Sequence, residues 1–302
     1  MLATAFDLIV IGEGVAGLAC ARHAASLGLK TATTEGNLFG GLVINVAELE
    51  GYDEPGSGVD IASALLEENA AAGVESLGGT VTAIEPQGNA FKVQSEAGAF
   101  SARAVVIASG ARMKKLGVPG EEKFDHRGVS QCADCDGPMF QGEHVVVAGG
   151  GDAAFQEAIV LSRYVGNVTI LIRGELPRAH DELVQRAISL PNITVRPGIH
   201  IEEILGSTTV EGINVRTSTG EKSRVDCAGV FVFVGVAPNS EFVPTSVARS
   251  ADGAILTDER FQTAVRGIFA AGAVRAGYSG KLVDAVREAR AAAEGAAHLL
   301  AG

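Results

Sequence analysis

Residues 6–17 read Phe-Asp-Leu-Ile-Val-Ile-Gly-Glu-Gly-Val-Ala-Gly. An apolar run broken by one acid is the signature of a strand covered on both faces. Glycine follows at once. Gly12 permits a tight turn, Gly14 lets the backbone approach a pyrophosphate, and Gly17 lets the next helix pack closely on the strand. That helix is expected from about Val15 to Leu27, and it stops at Gly28. Its N-terminus offers unpaired N–H groups and the positive end of a dipole to phosphate. Thr31–Thr34 reads as a second strand closed by Glu35, where a carboxylate can accept hydrogen bonds from ribose hydroxyls. With a strand before, a helix after and an acid at the second strand's end, the pattern is a dinucleotide-binding unit rather than a glycine-rich surface turn. Glu13 is discordant. A carboxylate beside the pyrophosphate must point away or weaken binding.

The same order of elements returns downstream. His144–Ala148 is a strand, 149–154 is the turn Gly-Gly-Gly-Asp-Ala-Ala, Phe155–Tyr164 a helix and Val168–Ile172 a strand. Gly149, Gly151 and Ala154 take the fingerprint positions, with Asp152 between them. The second strand here runs into Arg173, not an acid. An acid at that point selects NAD, whereas arginine can pair with a 2′-phosphate. NADPH is therefore expected over NADH, with Arg178 as a further cation. The bland alternative is that both arginines are solvated surface charges. Shorter β runs, Thr80–Ile84 and Ala90–Gln94, and a buried strand at 104–110 lie between the two units. Ile193–Val195, Ile213–Thr217 and Gly229–Gly235 follow the second. A strand at 267–272 and an alanine-rich helix from Leu282 to Leu300 close the chain. Pro119-Gly120 and Pro244 mark places where it can cross between domains.

Composition agrees with nucleotide turns and excludes other classes. The chain has 302 residues, 39 of them glycine, without the every-third spacing of collagen. The formal charge is −12, which disfavours nonspecific nucleic-acid binding. Trp is absent and Phe and Tyr number 12 and 3, too few for a base-stacking platform. No apolar stretch approaches the roughly 20 residues that span a bilayer. Phe6–Ile11 runs straight into the turn, without the layout of a signal peptide. The expectation is a soluble, cytoplasmic protein with neither nucleic-acid nor membrane partner.

The four cysteines are Cys20, Cys132, Cys135 and Cys227. Only one close pair exists, in Gln-Cys-Ala-Asp-Cys-Asp-Gly-Pro at 131–138. A four-cysteine zinc site normally needs two such pairs, so no metal is expected. Two cysteines spaced this way at a helix start can close a reducible disulfide, and the helix dipole lowers the thiolate pKa. Asp136 could serve the thiolate as acid or base, or simply cap the helix. Cys20 and Cys227 read as buried core thiols. Two nucleotide turns and one such pair suggest an electron route: nicotinamide, flavin, disulfide.

These residues, taken together, resemble the low-molecular-weight thioredoxin reductases over essentially the whole chain. The likeness rests on Gly-Glu-Gly-Val-Ala-Gly at 12–17, Gly40-Gly41 after Glu35, Ala-Ser-Gly-Ala at 108–111 and Cys-Ala-Asp-Cys-Asp-Gly-Pro at 132–138. It continues with the 149–154 turn, Gly-Val-Ala-Pro-Asn at 235–239 and Gly-Ile-Phe-Ala-Ala-Gly at 267–272. The resemblance implies an α/β fold of two Rossmann-like three-layer nucleotide-binding domains, the second inserted into the first. An FAD-binding domain would comprise 1–116 and 244–302, and an NAD(P)H-binding domain 117–243 would carry the cysteine pair. It also implies a homodimer, a rotation of one domain against the other, and a thioredoxin-like protein disulfide as substrate.

By motif position, Cys132 and Cys135 would be the redox pair, with Cys135 the flavin-side thiol and Asp136 the proton donor. The cofactor-binding residues would be Gly12, Gly14, Val15, Gly17, Glu35, Gly40, Gly41, Ala108 and Gly110 early in the chain. Gly149, Gly151, Asp152, Ala154, Arg173, Arg178 and Gly235 would follow, then Gly272, Ala273 and Val274. Three departures stand out. Ala273 replaces the family's aspartate, Leu42 replaces its glutamine after the glycine pair, and Ile172-Arg173-Gly174 keeps one side chain of its His-Arg-Arg run. Two other readings follow from them. One is a related flavoprotein with a different donor, such as ferredoxin, or one acting as a dithiol oxidase. The other is a non-enzymatic redox-sensing or partner-binding protein, against which the intact Cys132, Cys135 and Asp136 argue.

Overall fold

The apolar run at 6–11 lies in β1 (Ala3–Ile11) of the computed structural model, which describes residues 3–46 and 56–302. α1 (Val15–Ser26), β2 (Thr31–Glu35), α2 (Gly58–Ala71) and β3 (Glu75–Gly78) follow. A hairpin, β4 (Val81–Gln87) and β5 (Ala90–Ser95), then leads into β6 (Gly98–Ile107). β1 pairs in parallel with β2 and β6, and β2 with β3. β5 is antiparallel to both β4 and β6.

Strict alternation decides what each strand buries. Ile9, Ile11, Val105 and Ile107 face one core with Phe91 and Val93. Leu8, Val10, Ala104 and Val106 face another, beneath Ala19, Cys20 and Ala24 of α1. α2 is fixed at its start by a capping box, in which Ser57 and Asp60 exchange side-chain and backbone hydrogen bonds.

Beyond β7 (Ala111–Met113) the chain builds a second unit. Its elements are β8 (Val129–Ser130), α3 (Ala133–Asp136), β9 (His144–Ala148), α4 (Asp152–Leu161), β10 (Asn167–Leu171), α5 (Asp181–Ile188) and β11 (Ile193–Arg196). An antiparallel meander follows: β12 (Ile199–Gly206), β13 (Val210–Thr217) and β14 (Lys222–Asp226). β15 (Gly229–Val232) completes a parallel sheet of order β11-β10-β9-β15-β8. Val145 and Val147 of β9 pack toward Phe155 and Ile159 of α4, while Val146 packs toward Ile204 and Ile213 of the meander. The layers are thus helix, sheet and meander.

The chain leaves this unit in β16 (Val236–Pro238), which pairs with β7. β17 (Ile268–Ala270) then pairs with the second half of β6, beside which β5 takes the first half. α6 (Leu282–Ala301) ends the chain, burying Ala289, Ala292, Ala293 and Ala296 against the α1 side of the sheet. Small side chains let the two helices lie close to the sheet and to each other. By compactness one unit is Met1–Arg112 with Ala237–Gly302, and the other is Met113–Val236.

The structure amends several boundaries, and the strand expected at 104–110 is β6, Gly98–Ile107. The helix expected at 155–164 spans Asp152–Leu161, because Gly151 is already extended and acts as its N-cap. The strand expected to run on to Gly235 ends at Val232. α2, β3 and α5 had no counterpart in the sequence reading.

Candidate active site and cofactor turns

The first glycine turn is set by backbone contact. Gly12 has φ +105°, and a Cβ built on it would lie 2.4 Å from the Ala108 carbonyl oxygen. A Cβ on Gly17 would lie 1.8 Å from the Gly12 oxygen, so α1 can sit this close to β1 only with glycine there. Gly14 is different: the nearest atom to such a Cβ is the Gly40 oxygen, at 3.8 Å. Gly14 is the N-cap of α1, no side chain caps the helix, and its first turn holds no acid. The open space at Gly14 and the uncapped N–H groups fit a pyrophosphate. Gly40 bridges to Gly14 and donates its N–H to the Glu13 oxygen at 2.7 Å. Gly40 and Gly41 both have positive φ, +93° and +63°.

Glu35 sits at the end of β2 with its carboxylate already oriented. Oε2 accepts the Glu13 N–H at 3.0 Å, and Oε1 accepts those of Gly36 and Asn37 at 2.9 Å. The Glu13 side chain turns away from the turn. Its Oε1 accepts hydroxyl hydrogen bonds from Thr33 (2.6 Å) and Ser76 (2.5 Å), and the residue is 4% exposed. The carboxylate therefore does not obstruct a phosphate. Val15 and Val274 are buried in the core, so only their backbone can meet a cofactor. Gly110 has φ +64° just after β6.

The turn after β17 lies over the same helix start. A Cβ on Gly272 would be 2.8 Å from the Ala16 Cβ. The Gly272 N–H donates to Oε2 of Glu288 at 3.0 Å. Glu288 on α6 is 2% exposed and is paired with Arg275 through Nε (3.1 Å) and Nη2. Neither residue carries a motif, and their pairing is not visible in sequence. Ala273 offers a methyl where the resemblance expects a carboxylate, and Leu42 is partly exposed where it expects an amide. The glycine turn, the uncapped start of α1 and the oriented Glu35 carboxylate fit a dinucleotide such as FAD.

The second turn has the same logic. A Cβ on Gly149 would lie 2.3 Å from the Phe233 oxygen, whereas one on Gly151 meets nothing within 4 Å. Residues 174–180 fold back over this turn. The N–H groups of Arg178 and Ala179 donate to the Gly150 oxygen at 2.7 and 3.1 Å. Asp152 accepts the His180 N–H at 2.7 Å and lies 2.6 Å from its ring Nδ1. Asp152 therefore anchors this loop. The side chains of Arg173 and Arg178 are exposed and have no partner among the described residues. Two unpaired guanidiniums beside a phosphate turn fit a 2′-phosphorylated nucleotide. Gly235 has φ +104° and its oxygen accepts the Lys114 N–H at 2.9 Å.

Cys132 and Cys135 form a disulfide. Cys132 is the N-cap of α3, and its Sγ accepts the Cys135 N–H at 3.2 Å. Three more N–H groups of the motif are held: Cys132 by Ser130 Oγ (3.1 Å), Ala133 by Glu157 Oε2 (3.1 Å) and Asp136 by the Cys132 oxygen (3.2 Å). The Asp136 carboxylate is partly buried and has no hydrogen-bond partner among the described residues, so it does not cap the helix. Glu157, from α4, lies in no motif, and its partner Ala133 is distant in sequence. Burial pushes its carboxyl up to about 7, against the opposing Ala133 hydrogen bond and with help from the Asp134 charge. Cys20 and Cys227 are buried free thiols, and burial pushes both up to about 12. They are poor nucleophiles.

A family model described as pyridine nucleotide-disulphide oxidoreductase matches residues 6–294. The thioredoxin reductase of Treponema pallidum (strain Nichols) is 37% identical over 298 residues, spanning 97% of this chain and 97% of that protein. Among solved structures, Lactococcus lactis thioredoxin reductase in its FR conformation matches with a TM-score of 0.94 at 35% identity, over 98% of this chain and 99% of that one. The T. acidophilum thioredoxin reductase matches with a TM-score of 0.91 at 30% identity, over 97% and 98% of the two chains.

Proposed function

Because the chain belongs to the pyridine nucleotide-disulphide oxidoreductase family, we propose that it works as a thioredoxin reductase-like enzyme, using NADPH and FAD to reduce a thioredoxin-like protein disulfide. The observation that carries this reading is the Cys132–Cys135 disulfide at a helix start beside the unpartnered Asp136. The unit Met1–Arg112 with Ala237–Gly302 would hold FAD through Gly12, Gly14, Glu35, Gly40 and the Gly272–Val274 turn. The unit Met113–Val236 would hold the nicotinamide nucleotide through Gly149, Gly151, Arg173 and Arg178. When bound, FAD supplies a two-electron relay between nicotinamide and disulfide.

The residues of the chain do the rest. Two electrons reaching the pair break the S–S bond and leave one thiol and one thiolate. Negative charge is best held on Cys132, whose Sγ already accepts the Cys135 N–H. Cys132 attacks one sulfur of the partner's disulfide and expels the other as a thiolate, which takes a proton from Asp136. Cys135 then gives its proton to the Asp136 carboxylate, attacks the Cys132 sulfur of the mixed disulfide, restores the Cys132–Cys135 bond and expels the partner's second sulfur as a thiolate that takes a proton from solvent. The proposal includes a homodimer in the cytoplasm, in keeping with the resemblance and the acidic, cysteine-poor composition. Among the described residues no helix is long and apolar enough to cross a membrane.

The test is turnover of thioredoxin, or of an aromatic disulfide, by the FAD-loaded protein. NADPH should support it and Cys135→Ser should abolish it. A flavin inert to both NADPH and NADH would overturn the donor. Ile172 and Gly174, at positions where two cationic side chains are expected, favour a second reading with a protein donor such as ferredoxin. Disulfide reduction after photoreduction of the flavin, without turnover on NADPH, would support that reading.

A further inference from the structure

We infer that Glu157 is a positioning residue for the redox pair, holding the first turn of the Cys132–Cys135 segment through the Ala133 amide and taking up a proton when that segment gains charge on reduction. This rests on the proposed role of the two cysteines. α4 begins at the second glycine turn, and Glu157 lies over a turn further along it. There its Oε2 accepts the N–H of Ala133, a fully buried residue between the two cysteines. An amide at a helix start has no partner within the helix, and this one is satisfied by a carboxyl from another element. The backbone from which both sulfurs project is thus tied to α4.

The surroundings make the carboxyl responsive. α3 contributes Asp134, which disfavours the charged form of Glu157. Asp136 ends the same short helix. β9 and β10 face α4 with Val145, Val147, Val168 and Ile170, and α5 faces it with Ala187, all apolar. Tyr164, beyond the helix end, packs against Gly137. No lysine, arginine or histidine pairs with Glu157 among the described residues. Burial holds its carboxyl at about 7, so it is part-ionised near neutrality.

The charge balance follows. The disulfide plus two electrons and one proton gives a thiol and a thiolate, with the S–S bond broken. The electrons come from the reductant, a small dithiol in the test below. The new negative charge lies on the segment that Glu157 touches, so the carboxylate takes a further proton from solvent. Reoxidation releases it. Above pH 7 the ionised carboxylate should therefore oppose reduction, and below pH 7 it should not.

The experiment measures the equilibrium between the pair and dithiothreitol in the full-length, FAD-loaded chain, scored by alkylation of the new thiols. Glu157→Gln keeps an acceptor for Ala133 and removes the charge. It should shift the equilibrium toward the dithiol about tenfold at pH 8.5, one pKa unit of coupling, and less than about twofold at pH 6. Asp134→Asn, a second probe, should move the midpoint of the wild-type pH dependence downward. An equal shift at every pH, or none, would leave Glu157 a purely structural contact and overturn the inference. A wild-type pair that dithiothreitol cannot reduce at any pH would instead overturn the proposed function on which it rests.

Discussion

Replacing Glu288 with alanine leaves Arg275 without its counter-charge in a nearly closed site. The Arg275 side chain is 15% exposed and that of Glu288 2%. The pair shares two contacts, and the same carboxylate holds the Gly272 N–H. Removing one partner of a buried pair costs about 3–5 kcal/mol, and arginine cannot escape by losing its proton. Arg275 keeps a 2.6 Å hydrogen bond to the Ala276 oxygen and lies 5.1 Å from the Phe261 ring centroid. Those contacts place the loss near the lower end, about 3 kcal/mol. In a unit of this size, that is roughly 6–12 °C in Tm.

The complementary change, Arg275→Met, strands the Glu288 carboxylate in the same closed site with the Gly272 N–H still bound to it, and should cost a similar amount. Arg275→Met/Glu288→Leu, which strands neither charge, should regain most of the loss. Thermal melts of the flavin-free protein, with FAD retention measured separately, check all three. A Glu288→Ala protein melting within about 2 °C of wild type would refute the claim that this pair anchors the Gly272 turn. So would a double variant no better than the singles.

Gly17→Ala places a methyl 1.8 Å from the Gly12 oxygen. Overpacking against backbone should cost at least about 1–3 kcal/mol and release FAD, read by flavin fluorescence in the filtrate. Arg173→Ala and Arg178→Ala should each raise the KM for NADPH by about tenfold, a value discounted for their exposure, and leave that for NADH nearly unchanged. Steady-state kinetics with both nucleotides decides this, and equal effects would return the arginines to the solvated surface. The oxidised native protein should show no fast-reacting thiol toward Ellman's reagent, since Cys20 and Cys227 are held at about 12, and denaturation should reveal both.

What was legible in the sequence is mostly what the backbone alone dictates. Gly12, Gly17 and Gly149 must be glycine because any Cβ there meets a carbonyl oxygen, and such needs stay at fixed spacings. The Cys132–Cys135 spacing is local in the same way. What depends on distant partners was not legible. Glu13 was ambiguous because its direction is set by Thr33 and by Ser76, the latter on β3, a short edge strand with little hydrophobic alternation. Glu157 and Glu288 carry no motif, and each matters only for an amide brought to it by the fold. α5 did leave a signal: Asp181 and Glu182 open it, and Leu183, Val184 and Ala187 are spaced as one apolar face.

The proposed route carries electrons from NADPH to Cys132–Cys135. Its most direct test is an anaerobic NADPH titration of the FAD-loaded protein, following flavin absorbance while counting free thiols. Wild type should accept about twice the reducing equivalents of Cys135→Ser and gain two titratable thiols as it does so. Full bleaching of the wild-type flavin at the Cys135→Ser endpoint, with no new thiol, would contradict it.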